Sequence, residues 1–116
     1  MYQTLTGKEL KSRMEAGEDM ILVETLPPRY YDADHLPGAI NIPHDEMRKR
    51  APAELTDKQA MIVVYCASTE CQNSKIAAQI LNADGYSNVF EYVDGKRDWL
   101  EAGYPLEGQS TDKATA

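Results

Sequence analysis

The chain has 116 residues, enough for one domain that closes a single core between a sheet and helices. Its 42% hydrophobic and 27% charged residues are ordinary for a globular protein, which excludes disordered and fibrous classes. The formal net charge of -7 speaks against a nucleic-acid partner and against anionic membranes, because both call for a basic face.

The N-terminal segment is polar and charged throughout, and no apolar run is long enough to span a bilayer, so neither a signal peptide nor a membrane anchor is expected. Two cysteines separated by four residues, Cys66 and Cys71, do not make a secreted disulfide framework, and a cytoplasmic location follows as the expectation. Without further cysteines or a well-placed histidine they do not make a metal site either, and no cofactor is expected. The domain is assigned to residues 1–108. Residues 109–116, small and polar, are expected to form a flexible tail.

Helical and extended signals alternate along the chain. Thr6-Gly7-Lys8-Glu9 has capping-box form, and Leu10, Met14 and Gly17 suit a short helix with a glycine stop. Met20–Val23 is a short apolar run of the kind a strand buried on both faces shows. Pro27-Pro28 opens a loop or helical turn that reaches His35; Ala39–Pro43 reads as a brief strand, and a small helix follows over Asp45–Lys49. Met61–Tyr65 is the strongest strand signal and runs directly into Cys66. After a polar loop, Ser74 opens a helix whose Ile76, Ala77, Ile80 and Leu81 recur at helical spacing. Asn88–Val93 is a last strand, and Lys96–Ala102 a last helix closed by Gly103 and Pro105. Strands alternating with helices imply right-handed crossovers and a mostly parallel sheet covered on both sides, an α/β layered domain.

In such sheets ligands bind beyond the carboxyl ends of the strands, where loops enter helix N-termini. Cys66 lies at such an end. Backbone amides of the following loop and the dipole of the helix from Ser74 are placed to favour an anion there, which is expected to lower the thiol pKa. That suits nucleophilic attack on sulfur or phosphorus through a covalent cysteine intermediate. An inert buried thiol fits the position equally well.

Three motifs extend the reading. His35-Leu36-Pro37-Gly38-Ala39-Ile40-Asn41-Ile42-Pro43 resembles the His-Ile-Pro-Gly-Ala segment of the rhodanese family, and Val63-Val64-Tyr65-Cys66 resembles that family's strand leading to the catalytic cysteine. Gly85–Val89 with Asp94-Gly95, Trp99, Gly103 and Pro105 resembles its closing strand-turn-helix. The resemblance covers roughly Thr4 to Gly108. It implies a rhodanese-like three-layer fold with a central five-stranded parallel sheet, and a sulfurtransferase reaction in two steps. The cysteine takes the outer sulfur of a donor as a persulfide and passes it to a thiol or other nucleophile, with a partner protein as a further candidate. By resemblance, Cys66 is the nucleophile, and the backbone of Ala67, Ser68, Thr69, Glu70, Cys71, Gln72 and Asn73 forms the substrate cradle. On physical grounds His35 is expected to brace the Pro37-Gly38 turn, Trp99 to pack, and His44 to lie at the surface.

Three departures qualify this. The family's Cys-x-x-Gly-x-Arg loop has no counterpart here; the loop is about two residues longer, carries Glu70 and lacks a cation, so thiosulfate is expected to be a poor donor. The family's Asp-Val-Arg after the second strand is Glu24-Thr25-Leu26, which keeps the carboxylate and loses the cation. Cys71 is a candidate resolving thiol that can attack a persulfide on Cys66. The alternatives are a non-catalytic binding module, a thiol redox sensor using Cys66 and Cys71, and a cysteine phosphatase or arsenate reductase. The last is disfavoured because phosphoryl chemistry needs an Arg clamp.

Overall fold

The computed structural model describes residues 2–108, so the expected tail, residues 109–116, lies outside the described residues. Five strands form one sheet in the order β1 (Gln3–Leu5), β5 (Val89–Tyr92), β4 (Ile62–Tyr65), β2 (Ile21–Glu24), β3 (Ile40–Asn41), and every pairing is parallel. The helices are α1 (Gly7–Glu15), α2 (Pro28–Ala33), α3 (Met47–Glu54), α4 (Asn73–Ala83) and α5 (Gly95–Glu101), with a 3-10 turn over His44–Glu46. The α/β layered expectation holds, with a sheet that is wholly parallel. No helix among the described residues is long and apolar enough to cross a membrane.

Strand alternation sorts the core into two layers. Val23, Ile62, Val64 and Val89 face Met47, Ala51 and Leu55 of α3 and Ala77, Ala78 and Leu81 of α4. On the other face Leu22, Val63, Tyr65, Phe90 and Tyr92 pack with Leu10 of α1 and Trp99 of α5. Trp99 is wholly buried, and its indole N–H donates to the Pro105 carbonyl at 2.8 Å, a packing role as expected. The Thr6/Glu9 capping box forms as the sequence indicates, with its two hydrogen bonds at 3.1 and 3.0 Å.

Two elements differ from the sequence expectation. β1 was not foreseen: Gln3 and Thr4 are exposed, and this edge strand exists because its backbone pairs with β5. The helix expected to end at Lys49 runs to Glu54 despite Pro52. Met47, Ala51 and Leu55 lay one buried stripe along it, and Arg50 braces it through Glu46 and Glu54 at 3.2 and 2.5 Å.

His35 braces its turn as expected. Its Nδ1 lies 2.7 Å from the Tyr31 carbonyl, its ring stacks on Tyr31, and its backbone pairs with Glu107. Gly38 takes φ +79 in that turn. His44 is half-buried, its amide donating to the Thr25 carbonyl at 3.0 Å.

Candidate active site

Cys66 follows β4 and is fully buried, with its side chain on the α4 face of the sheet. The loop 67–72 carries the chain over to α4. A turn closed by Cys71 N–H donating to the Ser68 carbonyl (3.1 Å) shapes it. The base of this loop is clamped from α5, where the Lys96 and Arg97 amides donate to the carbonyls of Cys66 and Ala67 at 2.9 and 2.8 Å. That contact requires Gly95. A Cβ there would lie 2.7 Å from the Cys66 carbonyl oxygen, and the residue takes φ +71.

Sγ of Cys66 meets groups of Cys71 and Ser74. The Cys71 carbonyl oxygen lies 3.5 Å away, and Ser74 at the start of α4 places Oγ at 3.3 Å and directs its amide to the sulfur. Ser74 in turn donates to Oε2 of the buried Glu91 at 2.8 Å. The expectation of a lowered thiol pKa fails in this conformation. Burial first, then the contact with Cys71, push the Cys66 thiol up to about 11, and the Ser74 hydrogen bonds that pull it down do not offset them. The physical reason is that the sulfur is enclosed, where a thiolate loses its hydration, and that the Cys71 side chain lies against it.

The opposite side of the same sheet end holds the cation that Leu26 does not supply. Lys96 reaches from the first turn of α5 so that Nζ lies 3.1 Å from Oε2 of Glu24 and 3.0 Å from Oδ1 of Asp34. It also donates to the carbonyls of Tyr30 and Asp34 at 3.0 and 2.7 Å. Glu24 is fully buried and accepts from the Tyr65 hydroxyl at 3.0 Å, which itself accepts from the Leu36 amide at 3.1 Å. Burial pushes the Glu24 carboxyl above the ordinary range, against the pull of Lys96 and Tyr65. This network ties β2, β4, α2 and α5 together at the carboxyl end of the sheet.

Outside the loop a groove of about 200 Å³ is lined by Ser68, Thr69, Glu70, Asp94, Arg97, Asp98 and Glu101. Of the cradle residues named from sequence, Ser68, Thr69 and Glu70 open onto this groove, whereas Cys71 touches the sulfur through its carbonyl. Arg97 brings one cation to the loop from α5, among four carboxylates.

Sequence reasoning missed Ser74, Glu91, Lys96 and Arg97 as site residues. Glu91 carried the clearest signal, being a carboxylate in the middle of the otherwise apolar or aromatic strand Val89-Phe90-Glu91-Tyr92. Lys96 and Arg97 stand two and three residues after Asp94, at a helix start that a parallel sheet places beside the neighbouring strand's loop.

Known proteins agree with this geometry. The family model described as "Rhodanese-like domain" matches residues 6–102. The chain is 41% identical over 103 residues to the HTH-type transcriptional regulator Rv0324 of Mycobacterium tuberculosis, covering 89% of this chain and 44% of that protein, so it spans less than half of this relative. It is 34% identical over 76 residues to the thiosulfate sulfurtransferase PspE of Escherichia coli, covering 66% of this chain and 70% of that one. The solution structure of the rhodanese-like domain of the Anabaena protein Alr3790 superposes with a TM-score of 0.86 at 31% identity, covering 100% of this chain and 86% of that one. With a cysteine at the carboxyl end of β4, beneath the N-terminus of α4 in an all-parallel five-stranded sheet, the chain belongs to the rhodanese-like domain family.

Proposed function

We propose that this domain is a sulfurtransferase of the carrier type, in which Cys66 takes up a sulfur atom as a persulfide and passes it to a thiol or another nucleophile. The observation that carries the reading is the seat of Cys66, at the carboxyl end of the central strand with the Ser74 amide on its sulfur, in a chain of the rhodanese-like family. Because the sulfur is enclosed and faces the Cys71 carbonyl, the loop of residues 67–73 is the part that must turn its amides inward when sulfur is loaded. Those residues form the substrate-binding surface in this reading. The four carboxylates of the adjoining groove disfavour a dianionic donor, so a thiol persulfide or polysulfide is the better substrate class and thiosulfate the poorer one. No cofactor takes part, the setting is cytoplasmic, and the acceptor is a thiol, free or on a partner protein.

A second reading, a redox pair of Cys66 and Cys71, draws on the 3.5 Å contact between the Cys66 sulfur and the Cys71 backbone. In that reading the Cys71 thiol attacks a Cys66 persulfide, a disulfide forms, and the outer sulfur leaves as sulfide.

Incubating the reduced protein with a thiol persulfide and with thiosulfate, then recording the intact mass, separates the two. The carrier reading expects a gain of one sulfur from the persulfide, retained in Cys71→Ser and lost in Cys66→Ser. Loss of two hydrogens instead, dependent on both cysteines, supports the redox pair. No uptake from any donor rules the carrier out.

A further inference from the structure

Glu91 is a buried carboxylate on a strand that is otherwise apolar or aromatic. Its carboxylate accepts from the Ser74 hydroxyl and lies near enough to the Tyr2 phenol to act on it electrostatically. An apolar side chain would fill the same space without the desolvation cost of a charge. The Ser74 hydroxyl has a single proton, which it donates to Oε2 of Glu91 at 2.8 Å. Its lone pair is therefore what faces Sγ of Cys66 at 3.3 Å, which makes Ser74 Oγ the nearer of two acceptors for the single thiol proton, the other being the Cys71 carbonyl at 3.5 Å. The three groups form one directed chain, S–H to O–H to carboxylate, closed to solvent because Cys66, Ser74 and Glu91 are all buried.

We propose that Ser74 and Glu91 form a proton relay for Cys66, in which the Glu91 carboxylate receives the thiol proton through the Ser74 hydroxyl as the sulfur attacks. The proposal deepens the carrier reading and rests on it. With a thiol persulfide R–S–S–H as donor, Sγ bonds to the outer sulfur, and R–S⁻ leaves with the electron pair of the broken S–S bond. The thiol proton moves to Ser74 Oγ, and the Ser74 proton moves to Glu91. The persulfide then faces a hydroxyl turned towards it and a neutral carboxylic acid behind. The relay answers a difficulty that the resting site poses, a thiol held protonated at neutral pH by burial and by the Cys71 side chain. The ionisable groups around the chain are Cys71 in the loop next to Cys66 and Tyr2 beside Glu91; burial, and then the nearby Glu91, raise the Tyr2 phenol above its ordinary value.

The test follows alkylation of Cys66 by iodoacetamide, a neutral reagent that does not titrate, with the modified residue located by fragment mass. Wild-type protein is expected to react at a rate nearly independent of pH across the neutral range. Glu91→Gln and Ser74→Ala are expected to react about 100-fold more slowly at pH 7, with a rate that climbs tenfold per pH unit up to pH 9. Ser74→Thr, which keeps the hydroxyl, is expected to restore the plateau; a role in packing alone would change rates without changing the shape of the profile. If Glu91→Gln does not fold, the Ala and Thr variants at position 74 decide. A wild-type rate that itself climbs tenfold per pH unit, or a plateau that survives in Ser74→Ala, overturns the relay. A plateau in a protein that takes up no sulfur from any donor leaves the relay standing and refutes the carrier reading.

Discussion

The carboxyl end of the sheet has two sides that are built differently. On the α5 side, buried Glu24 and Tyr65 and half-buried Lys96 and Asp34 form a network in which each polar group has a partner. On the α4 side, Cys66 lies under a loop that touches its sulfur with a carbonyl, and Cys71, Ser74 and, through Ser74, Glu91 give it chemical company. The contrast separates fixing from reacting. The charged network anchors the helix whose amides clamp the base of the loop, while the loop above the sulfur makes no ion pair among the described residues and is able to change its hydrogen bonds.

The largest effect is expected from breaking the fixed side. Lys96→Ala leaves Glu24 buried without its cation, and a loss of about 3–5 kcal/mol is expected in denaturant unfolding. Replacing both members by apolar residues, Glu24→Leu with Lys96→Met, is expected to recover most of it. If the single variant costs nothing, the α5 side is not the anchor described.

Gly95→Ala tests the joint between the two sides. The added Cβ meets the Cys66 carbonyl and imposes a left-handed backbone on an L-residue, for an expected loss of about 2–3 kcal/mol. The same change should disturb Cys66 reactivity more than Lys96→Met does. Equal effects would mean that the clamp does not position the loop.

The smallest effect concerns the α4 side and pH. The folded chain holds the Cys66 proton up to about pH 11 against an ordinary 9.0, so this stabilisation is complete below pH 9 and is lost as pH rises through 11. Thermal unfolding of wild type and Cys66→Ser between pH 8 and 11 is expected to differ by roughly 2 kcal/mol of alkaline sensitivity. Parallel curves would show that the thiol is not sealed.

What the sequence revealed follows the same division. The apolar run ending at Tyr65 and the helical spacing after Ser74 placed Cys66 correctly, because buried strands and amphipathic helices write their periods into the chain. The His35–Pro43 turn was legible through Pro37 and Gly38. Lys96 was not, since its partners Glu24 and Asp34 lie 72 and 62 residues away and a surface lysine looks the same in sequence. The raised thiol pKa was hidden for another reason. The residue types in 67–73 are mostly polar and do not show that the folded loop encloses the sulfur and brings the Cys71 side chain against it. β1 escaped because its stabilisation is backbone pairing alone.

The most direct test of the central claim is where sulfur is found after brief exposure to a thiol persulfide. Trapping the loaded protein with iodoacetamide and fragmenting the tryptic peptide of residues 59–75, which holds both cysteines, reads this position by position. The account predicts the extra sulfur on Cys66, with Cys71 carrying only the alkyl group. Sulfur located on Cys71, or on neither cysteine, would contradict it.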